Sequence, residues 1–187
     1  MKLTRRVTIG GLLLASARPL AGLAQPAAAL APTPACGSFP TPPQESGPFH
    51  LEGAPQRRTL WPAGRAQPFR LSGRVLDQQC RPIPAARIEV WHADDEGRYD
   101  NRGYDGRGWQ VTGETGEWQF DTIMTSHYSF RTAHYHFRIA AEGFAELTTQ
   151  LYLPEHPRNG EDHLFDPALV LQMAGDRRSG VFDFVLS

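Results

Sequence analysis

Alternation of apolar and polar side chains restricts the possible folds of this chain more than any other feature of its sequence. Between residues 69 and 75 the apolar Phe69, Leu71 and Val75 alternate with polar neighbours, which is the pattern of a half-buried β-strand. Comparable short runs, separated by turns rich in glycine and proline, predict further strands at residues 87–91, 117–121, 131–140, 147–153 and 180–186. No long segment keeps the spacing of a helix, and only residues 167–174 allow one short helix. The pattern therefore predicts a single all-β domain, a sandwich or a barrel.

Charge and composition exclude several classes of function. A formal net charge of -1 is incompatible with a protein that binds nucleic acid mainly by electrostatic attraction. Two cysteines are too few for a disulfide-dense scaffold or for a zinc site with four cysteines. Lys2 is the only lysine, so the 187-residue chain has no interior lysine for Schiff-base chemistry or for a phosphate-binding P-loop.

The first 24 residues have the organisation of an export signal. A basic start is followed by a short apolar stretch at residues 7–15 and by small residues that end at Ala24. The apolar stretch is too short to span a bilayer, which needs roughly 20 residues. Arg5 and Arg6 resemble the arginine pair of a twin-arginine signal. We expect cleavage of residues 1–24 and export to the periplasm or the extracellular space, with no stable membrane span afterwards.

Residues 25–43 are rich in alanine and proline and predict an extended, solvated linker, which leaves residues 44–187 for the folded domain. Cys36 lies near the end of this linker, and Cys80 lies in a turn-like segment. In an oxidising compartment the two cysteines can form one disulfide that ties the N-terminal arm to the domain. The alternative is two unrelated thiols.

His134 and His136 are the first candidates for metal ligands. In a strand over residues 131–140 the aromatic and aliphatic side chains share one face, so both histidines lie on the other. Imidazoles one strand repeat apart, about 7 Å between Cα atoms, can converge on one metal ion. The alternative is an outward-facing pair on an exposed strand. A third ligand would be a tyrosine, another histidine or a carboxylate, and the spacing to Glu142 is weakly similar to a cupin metal site.

Tyr99 and Tyr128 each stand near the end of a predicted strand, where a tyrosine usually caps the core rather than binding a metal. Their surroundings, however, belong to a wider resemblance. Seven segments, in order along the chain, resemble the intradiol ring-cleavage dioxygenases, which open catechol-type rings between the two hydroxyl carbons with a non-haem ferric ion. The segments are residues 41–49, 71–75 with 82–86, 90–94 with 97–99, 107–112, 120–123 with Tyr128, 131–137, and 147–152. The leader, together with Cys36 and Cys80, is most similar to the exported branch of this family.

The resemblance implies a fold and a metal site. The fold would be a prealbumin-like β-sandwich with at most one or two short helices, and the cofactor would be a non-haem Fe(III) ion. Its four ligands would be Tyr99, Tyr128, His134 and His136. Two phenolates stabilise Fe(III) over Fe(II), while two neutral imidazoles keep the ion Lewis-acidic.

The resemblance also implies an activity in the breakdown of aromatic compounds. A small aromatic diol, such as catechol, hydroxyquinol or a substituted catechol, would be cleaved with O2 to a cis,cis-muconate-type diacid. Arg131 would stabilise carbanion character on the substrate, since a guanidinium stays charged. Tyr128 would accept substrate protons, and Gln150 would lie near the point where oxygen enters. The alternatives are a surface role for the arginine and a strand hydrogen bond for the glutamine.

Two departures from the family pattern affect the expected pocket. Residues 125–127 replace the usual proline and glycine before Tyr128, so the turn that carries this ligand is expected to differ. Only five residues separate Tyr128 from His134, which predicts a short loop and an open pocket. His92 and His127 fall outside the matched positions, and we expect them beside the ligands or at the surface.

Two other functions are compatible with the same residues. One is a non-catalytic β-sandwich module for binding or adhesion. The other is a cupin-like Fe(II) dioxygenase that uses His134, His136 and a carboxylate. An oligomer is possible and would have to use the sandwich itself, since little length is left for a separate helical segment.

Overall fold

The computed structural model describes residues 39–187. The predicted signal at residues 1–24, most of the predicted linker and Cys36 therefore lie outside the described residues. The regular elements of the described part are nine strands and one 3-10 helix. The strands are β1 Pro68–Asp77, β2 Arg87–His92, β3 Arg107–Val111, β4 Glu117–Ile123, β5 His134–Ala140, β6 Leu147–Tyr152, β7 Gln172–Met173, β8 Ser179–Val181 and β9 Phe184–Leu186, and the 3-10 helix is Pro167–Leu169.

The strands form two sheets. In the first sheet the order is β4-β1-β8-β7, and β9 also pairs with β1. Strand β1 is antiparallel to β4 and parallel to β8 and β9. In the second sheet the order is β3-β2-β5-β6, and every pair is antiparallel. This arrangement confirms the predicted all-β architecture.

Aromatic side chains from both sheets meet between them. Trp118 of β4 lies 5.3 Å from Phe137 of β5, and Phe69 of β1 lies 5.8 Å from Tyr135 of β5, measured between ring centroids. All four side chains are at most 3% exposed. The two sheets therefore form a sandwich. Since β5 directs its two aromatic residues inward, its period of two directs the two histidines of the strand to the outer face.

Residues 41–60, here called the N-terminal strap, cross the outer face of the four-stranded sheet before the chain enters β1. The Gln44 backbone N–H donates to the Thr148 carbonyl of β6 at 2.8 Å. Further along, a ring nitrogen of His50 lies 3.1 Å from the carboxylate of Glu89 in β2. The strap covers this face, and as a result the two histidines of β5 are at most 2% exposed.

The structure corrects the predicted linker at its C-terminal end. Thr41 is 3% exposed, and its backbone N–H donates to the Val185 carbonyl of β9 at 2.9 Å. The Pro42 carbonyl accepts a hydrogen bond from the Thr149 hydroxyl of β6 at 2.7 Å. Thr41 and Pro42 therefore pack on the sandwich instead of extending through solvent, because their backbone groups find partners there.

Most predicted strands are present, and the exceptions have local causes. The segments at 69–75, 87–91, 117–121 and 147–153 correspond to β1, β2, β4 and β6. The segment 131–140 is a strand only from His134, because Tyr128 and Arg131 first exchange backbone hydrogen bonds in a turn. Residues 180–186 form two short strands, which pair with different parts of β1. The short helix allowed at 167–174 is the single 3-10 turn, followed by β7.

Two further expectations concern the surroundings of the domain. No helix within residues 39–187 is long and apolar enough to cross a membrane. Cys80 is disulfide-bonded. Cys36, its expected partner, lies outside the described residues.

Candidate metal centre

The four side chains predicted to bind a metal are neighbours at one end of the four-stranded sheet. The distances between ring centroids are 5.4 Å for Tyr99 and Tyr128, 5.6 Å for Tyr128 and His134, 4.7 Å for His134 and His136, and 6.4 Å for His136 and Tyr99. The Nε2 atoms of the two histidines are 3.1 Å apart. Each ring adjoins the next, so the four form a closed group, which we call the tyrosine–histidine ring.

Strand pairing and one backbone contact fix the two histidines. His136 lies opposite Trp91 of β2, and the two rings stack in parallel at 5.0 Å and 2°. His134 Nδ1 donates to the Thr132 carbonyl at 2.6 Å, because a carbonyl oxygen can only accept. In neutral His134 the Nε2 lone pair is therefore directed at the other imidazole, and this is the form that binds a metal.

Two short loops bring the tyrosines beside the histidines. Tyr99 ends a turn in which the Asp94 carboxylate accepts hydrogen bonds from the backbone N–H groups of Glu96 and Arg98, each at 2.9 Å. The loop after β4 is tied to this turn, because the Ser126 N–H donates to the Asp94 carbonyl at 3.1 Å. The two tyrosine-bearing loops are thus joined through their backbones.

Tyr128 is held by a turn and by close packing. Its backbone exchanges two hydrogen bonds with Arg131, at 3.2 and 2.9 Å. On the other side, Gly97 of the Tyr99 loop approaches so closely that an added Cβ would lie 2.2 Å from the His127 carbonyl oxygen. The residues that replace the family's usual proline and glycine are therefore fixed against the Tyr99 loop.

Burial sets the protonation of three groups in the tyrosine–histidine ring. It lowers the pKa of His134 to about 3 and holds the pKa of His136 well below its ordinary value, so both imidazoles are neutral at physiological pH. Burial also raises the pKa of Tyr99, and the neighbouring Tyr128 adds to this shift. A phenol in this position ionises only when a cation compensates its charge.

The donor set fits ferric iron. The Tyr99 hydroxyl and the His136 Nδ1 are buried and have no hydrogen-bond partner among the described residues. A buried polar atom without a partner costs about 1–3 kcal/mol, so a cation that pairs with the hydroxyl oxygen would remove that cost. Phenolates are hard anionic donors that suit Fe(III), and imidazole is a common ligand of iron. The residues that would hold a non-haem Fe(III) ion are therefore Tyr99, Tyr128, His134 and His136.

Arg131 and Gln150 lie beside this ring and contact each other. Gln150 is opposite His136 in the pairing of β5 with β6, on the same face of the sheet. Arg131 is 4% exposed, its Nη2 donates to Gln150 Oε1, and its Nε donates to the Asp162 carboxylate oxygens at 2.9 and 3.1 Å. Burial alone would raise the pKa of Asp162, but backbone N–H donors and the guanidinium lower it below its ordinary value, so both partners are charged.

Several residues around the site were not identified from the sequence. Phe49 of the strap stacks on Tyr99 at 4.3 Å, and Arg107 of β3 donates from Nη1 to the Phe49 carbonyl at 2.7 Å. Both residues lie in segments that resemble the family, but neither was predicted to contribute to the site. Asp162 had no such signal, because its contact with Arg131 joins residues 31 positions apart.

His92 and His127 lie outside the tyrosine–histidine ring. His92 is fully buried, and its two ring nitrogens are 2.7 Å from the Ala93 carbonyl and from the Thr122 hydroxyl. Both ring nitrogens of His92 therefore already have hydrogen-bond partners in the core. His127 is exposed and packs on His156 at 5.7 Å between centroids.

A carboxylate ligand for the histidine pair is not found. Residues 39–187 contain no group of three or more His, Cys, Asp and Glu side chains that could hold a metal ion. Glu142, the candidate from the sequence, is exposed in the turn that follows the far end of β5, six residues after His136. The cupin-like alternative is therefore wrong for the described part of the chain.

A family model described as Dioxygenase matches residues 47–173, a range that includes the whole tyrosine–histidine ring. The chain belongs to this dioxygenase family. The resemblance to the intradiol dioxygenases inferred from the seven segments is thereby confirmed at the level of the family.

Two curated relatives of this dioxygenase-family protein act on hydroxylated aromatic rings, according to their names. Hydroxyquinol 1,2-dioxygenase from Rhizobium sp. (strain MTP-10005) is 32% identical over 146 residues, which are 64% of this chain and 50% of that protein. 6-Chlorohydroxyquinol 1,2-dioxygenase from Cupriavidus pinatubonensis is 31% identical over 172 residues, which are 78% of this chain and 59% of that protein. The chain thus spans little more than half the length of these relatives.

One solved structure matches along nearly its whole length. It is the dioxygenase domain of a dioxygenase and carbohydrate-binding protein fusion from the cellulolytic bacterium Streptomyces sp. SirexAA-E. Its TM-score is 0.75 and its identity 42%, and the match covers 79% of this chain and 98% of that one. The sandwich of the dioxygenase-family protein therefore resembles a complete domain of known structure.

Proposed function

We propose that this dioxygenase-family protein is a non-haem Fe(III) intradiol dioxygenase, which cleaves a catechol-type ring with O2 to a cis,cis-muconate-type diacid. The observation that carries the proposal is the tyrosine–histidine ring, in which two phenols and two neutral imidazoles adjoin at 4.7 to 6.4 Å between centroids. The names of the two curated relatives support the same class of reaction.

Each residue of the site has a defined part in this proposal. Ferric iron held by the ring would supply Lewis acidity toward the two oxygens of the diol. Tyr128 is the ligand suited to take up a substrate proton, since its side chain is only partly buried and it lies in a turn rather than in a strand. Arg131 brings a permanent positive charge to the site, which favours negative charge that develops on the aromatic ring. Gln150 keeps that guanidinium in place through the hydrogen bond at its Oε1.

The N-terminal strap supports a site with one open side. Gly47 lies over His136, where an added Cβ would be 3.4 Å from the imidazole Cε1, and Phe49 stacks on Tyr99. These contacts exclude water from one side of the ring. Phe130, two residues after Tyr128, is 58% exposed, and entry of a small aromatic diol beside it is part of the proposal.

The test is ring cleavage by the iron-loaded protein. With Fe(III) bound, we expect a visible phenolate-to-iron charge-transfer band that shifts when catechol is added, and consumption of one O2 for each ring cleaved. Oxygen-electrode and ultraviolet product measurements with catechol and hydroxyquinol check this. A coloured protein that leaves both diols intact would support the non-catalytic binding module instead. A colourless protein at full iron occupancy would exclude the tyrosine ligands.

Export is a second part of the proposal, with residues 1–24 acting as a twin-arginine-type signal. It rests on the sequence of that segment, and the disulfide at Cys80 supports it, because disulfides persist mainly in oxidising compartments. The mature chain in the periplasm should begin after Ala24, as N-terminal sequencing would report. Replacing Arg5 and Arg6 by lysine should leave the chain unprocessed in the cytoplasm, whereas an unprocessed wild-type chain would contradict export.

A further inference from the structure

The ion pair between Arg131 and Asp162 is the most deeply buried one among residues 39–187, with side chains 5% and 0% exposed. A buried carboxylate is costly unless its lone pairs are used, and here they are used fully. The same two oxygens that accept from Arg131 Nε also accept from the backbone N–H groups of Thr132 and Leu164, at 2.9 and 3.0 Å. The carboxylate is therefore fixed by backbone and cannot follow the guanidinium if that group turns.

This contact selects one orientation of the guanidinium. With Nε held by Asp162, Nη2 of Arg131 donates to Gln150 Oε1. Gln150 is itself anchored, because its amide donates to the Glu45 carbonyl of the strap at 2.8 Å. Nη1 takes part in neither of these two contacts, and the Tyr152 hydroxyl also lies beside the guanidinium. Nη1 is therefore the guanidinium nitrogen that we assign to the substrate.

Without the carboxylate, other groups would attract the charge. Arg131 interacts electrostatically with both Tyr99 and Tyr128, and these two side chains are anionic when they bind a metal. A guanidinium that turned toward a phenolate would weaken that ligand and would no longer lie against the substrate.

We propose that Asp162 is the positioning residue of Arg131, which it holds toward the substrate and away from the two phenolates. The inference deepens the proposed ring cleavage and rests on it. Asp162 does not touch the diol and acts only through the guanidinium. Replacing Asp162 should therefore lower the rate of the chemical step. The same replacement should have no effect in a variant that lacks Arg131.

A double-mutant cycle on the iron-loaded, full-length protein tests this, with catechol as the substrate. Arg131→Gln should lower kcat by about 10²–10³-fold, the usual effect of removing one electrostatic group that acts on a transition state. Asp162→Asn should lower kcat by about 10–100-fold, with a smaller change in KM. The double variant should have the kcat of Arg131→Gln alone. Losses that multiply in the double variant would overturn the proposal.

Asn159→Ala is the matched control for loop anchoring. Asn159 lies in the same loop as Asp162, between β6 and the 3-10 helix. It fastens that loop through hydrogen bonds with the Thr132 hydroxyl at 2.7 Å and the Leu153 carbonyl at 3.0 Å, without a contact to Arg131. This variant should lower the urea midpoint and leave kcat close to that of the wild type. An equal loss of kcat in Asn159→Ala and Asp162→Asn would overturn the proposal, because a loosened loop would then explain both.

Arg131→Lys covers the case in which Asp162→Asn does not fold. Lysine keeps the positive charge, but it lacks the planar guanidinium that a fixed carboxylate can orient. Its kcat should fall nearly as far as in Arg131→Gln, while catechol binding without O2, followed by the visible band, is retained. A wild-type kcat in Arg131→Lys would overturn the role of Asp162. A wild-type protein that cleaves no diol would instead overturn the proposed function, so the two failures are distinguishable.

Discussion

Tyr99→Phe should leave the metal-free protein at least as stable as the wild type while removing most of its affinity for iron. The Tyr99 hydroxyl is buried and has no hydrogen-bond partner within residues 39–187, so its removal relieves a cost of about 1–3 kcal/mol. The same oxygen is one of the two anionic donors proposed for Fe(III). Since loss of a residue behind a ligand already lowers metal affinity or activity about 10–100-fold, loss of the ligand should exceed about 100-fold. Ring cleavage should fall with it.

Urea denaturation with and without Fe(III) separates the two effects, because a metal that binds only the folded state raises the midpoint. The wild type should gain stability from iron, and Tyr99→Phe should gain little. Tyr104→Phe is the matched control, since its partly exposed hydroxyl donates to the Glu52 carbonyl at 3.1 Å outside the tyrosine–histidine ring. If Tyr99→Phe bound iron as tightly as Tyr104→Phe, with an unchanged visible band, Tyr99 would not be a ligand.

The placement of the two histidines could be predicted because its cause is local. A period of two puts His134 and His136 on one face of β5, and the structure places their Nε2 atoms 3.1 Å apart. The period alone does not distinguish a buried face from an exposed one. That depends on the N-terminal strap, which comes from a segment some ninety positions earlier and was predicted in part as a solvated linker.

The remaining parts of the site depend on contacts between distant positions. The Gln44 side-chain amide donates to the Leu164 carbonyl at 2.7 Å, and the two residues are 120 positions apart. Such a contact leaves no periodic pattern in the sequence. The tyrosines were assigned through the family resemblance, because a tyrosine at a strand end is by itself most often a cap on the core. Strand β3 was not predicted from the alternation of apolar and polar residues, since it contains Gly108 and ends at the exposed Val111.

Gly97→Ala should weaken iron binding although Gly97 is not a ligand. Its φ of 79° lies in the left-handed region, where a side chain costs about 1–2 kcal/mol. An added Cβ would also lie 2.2 Å from the His127 carbonyl oxygen and 3.4 Å from the Tyr128 Cβ. Because a backbone carbonyl cannot swing aside as a side chain does, the loop of Tyr128 must move away from the loop of Tyr99. We expect iron affinity and ring cleavage to fall by about 10–100-fold, as for other residues that support a ligand.

Gly143→Ala separates the conformational cost from the contact. Gly143 has a φ of 82° in the turn between β5 and β6, and an added Cβ would meet no atom within 4 Å. This variant should lose about 1–2 kcal/mol in the free energy of unfolding and bind iron like the wild type. If Gly97→Ala lost no more stability than Gly143→Ala and also bound iron normally, the turn of each tyrosine would hold its phenol without the backbone contact at Gly97. A larger loss of stability with weakened iron binding in Gly97→Ala means that the backbone contact at Gly97 sets the distance between the two phenolates, which neither tyrosine loop fixes alone.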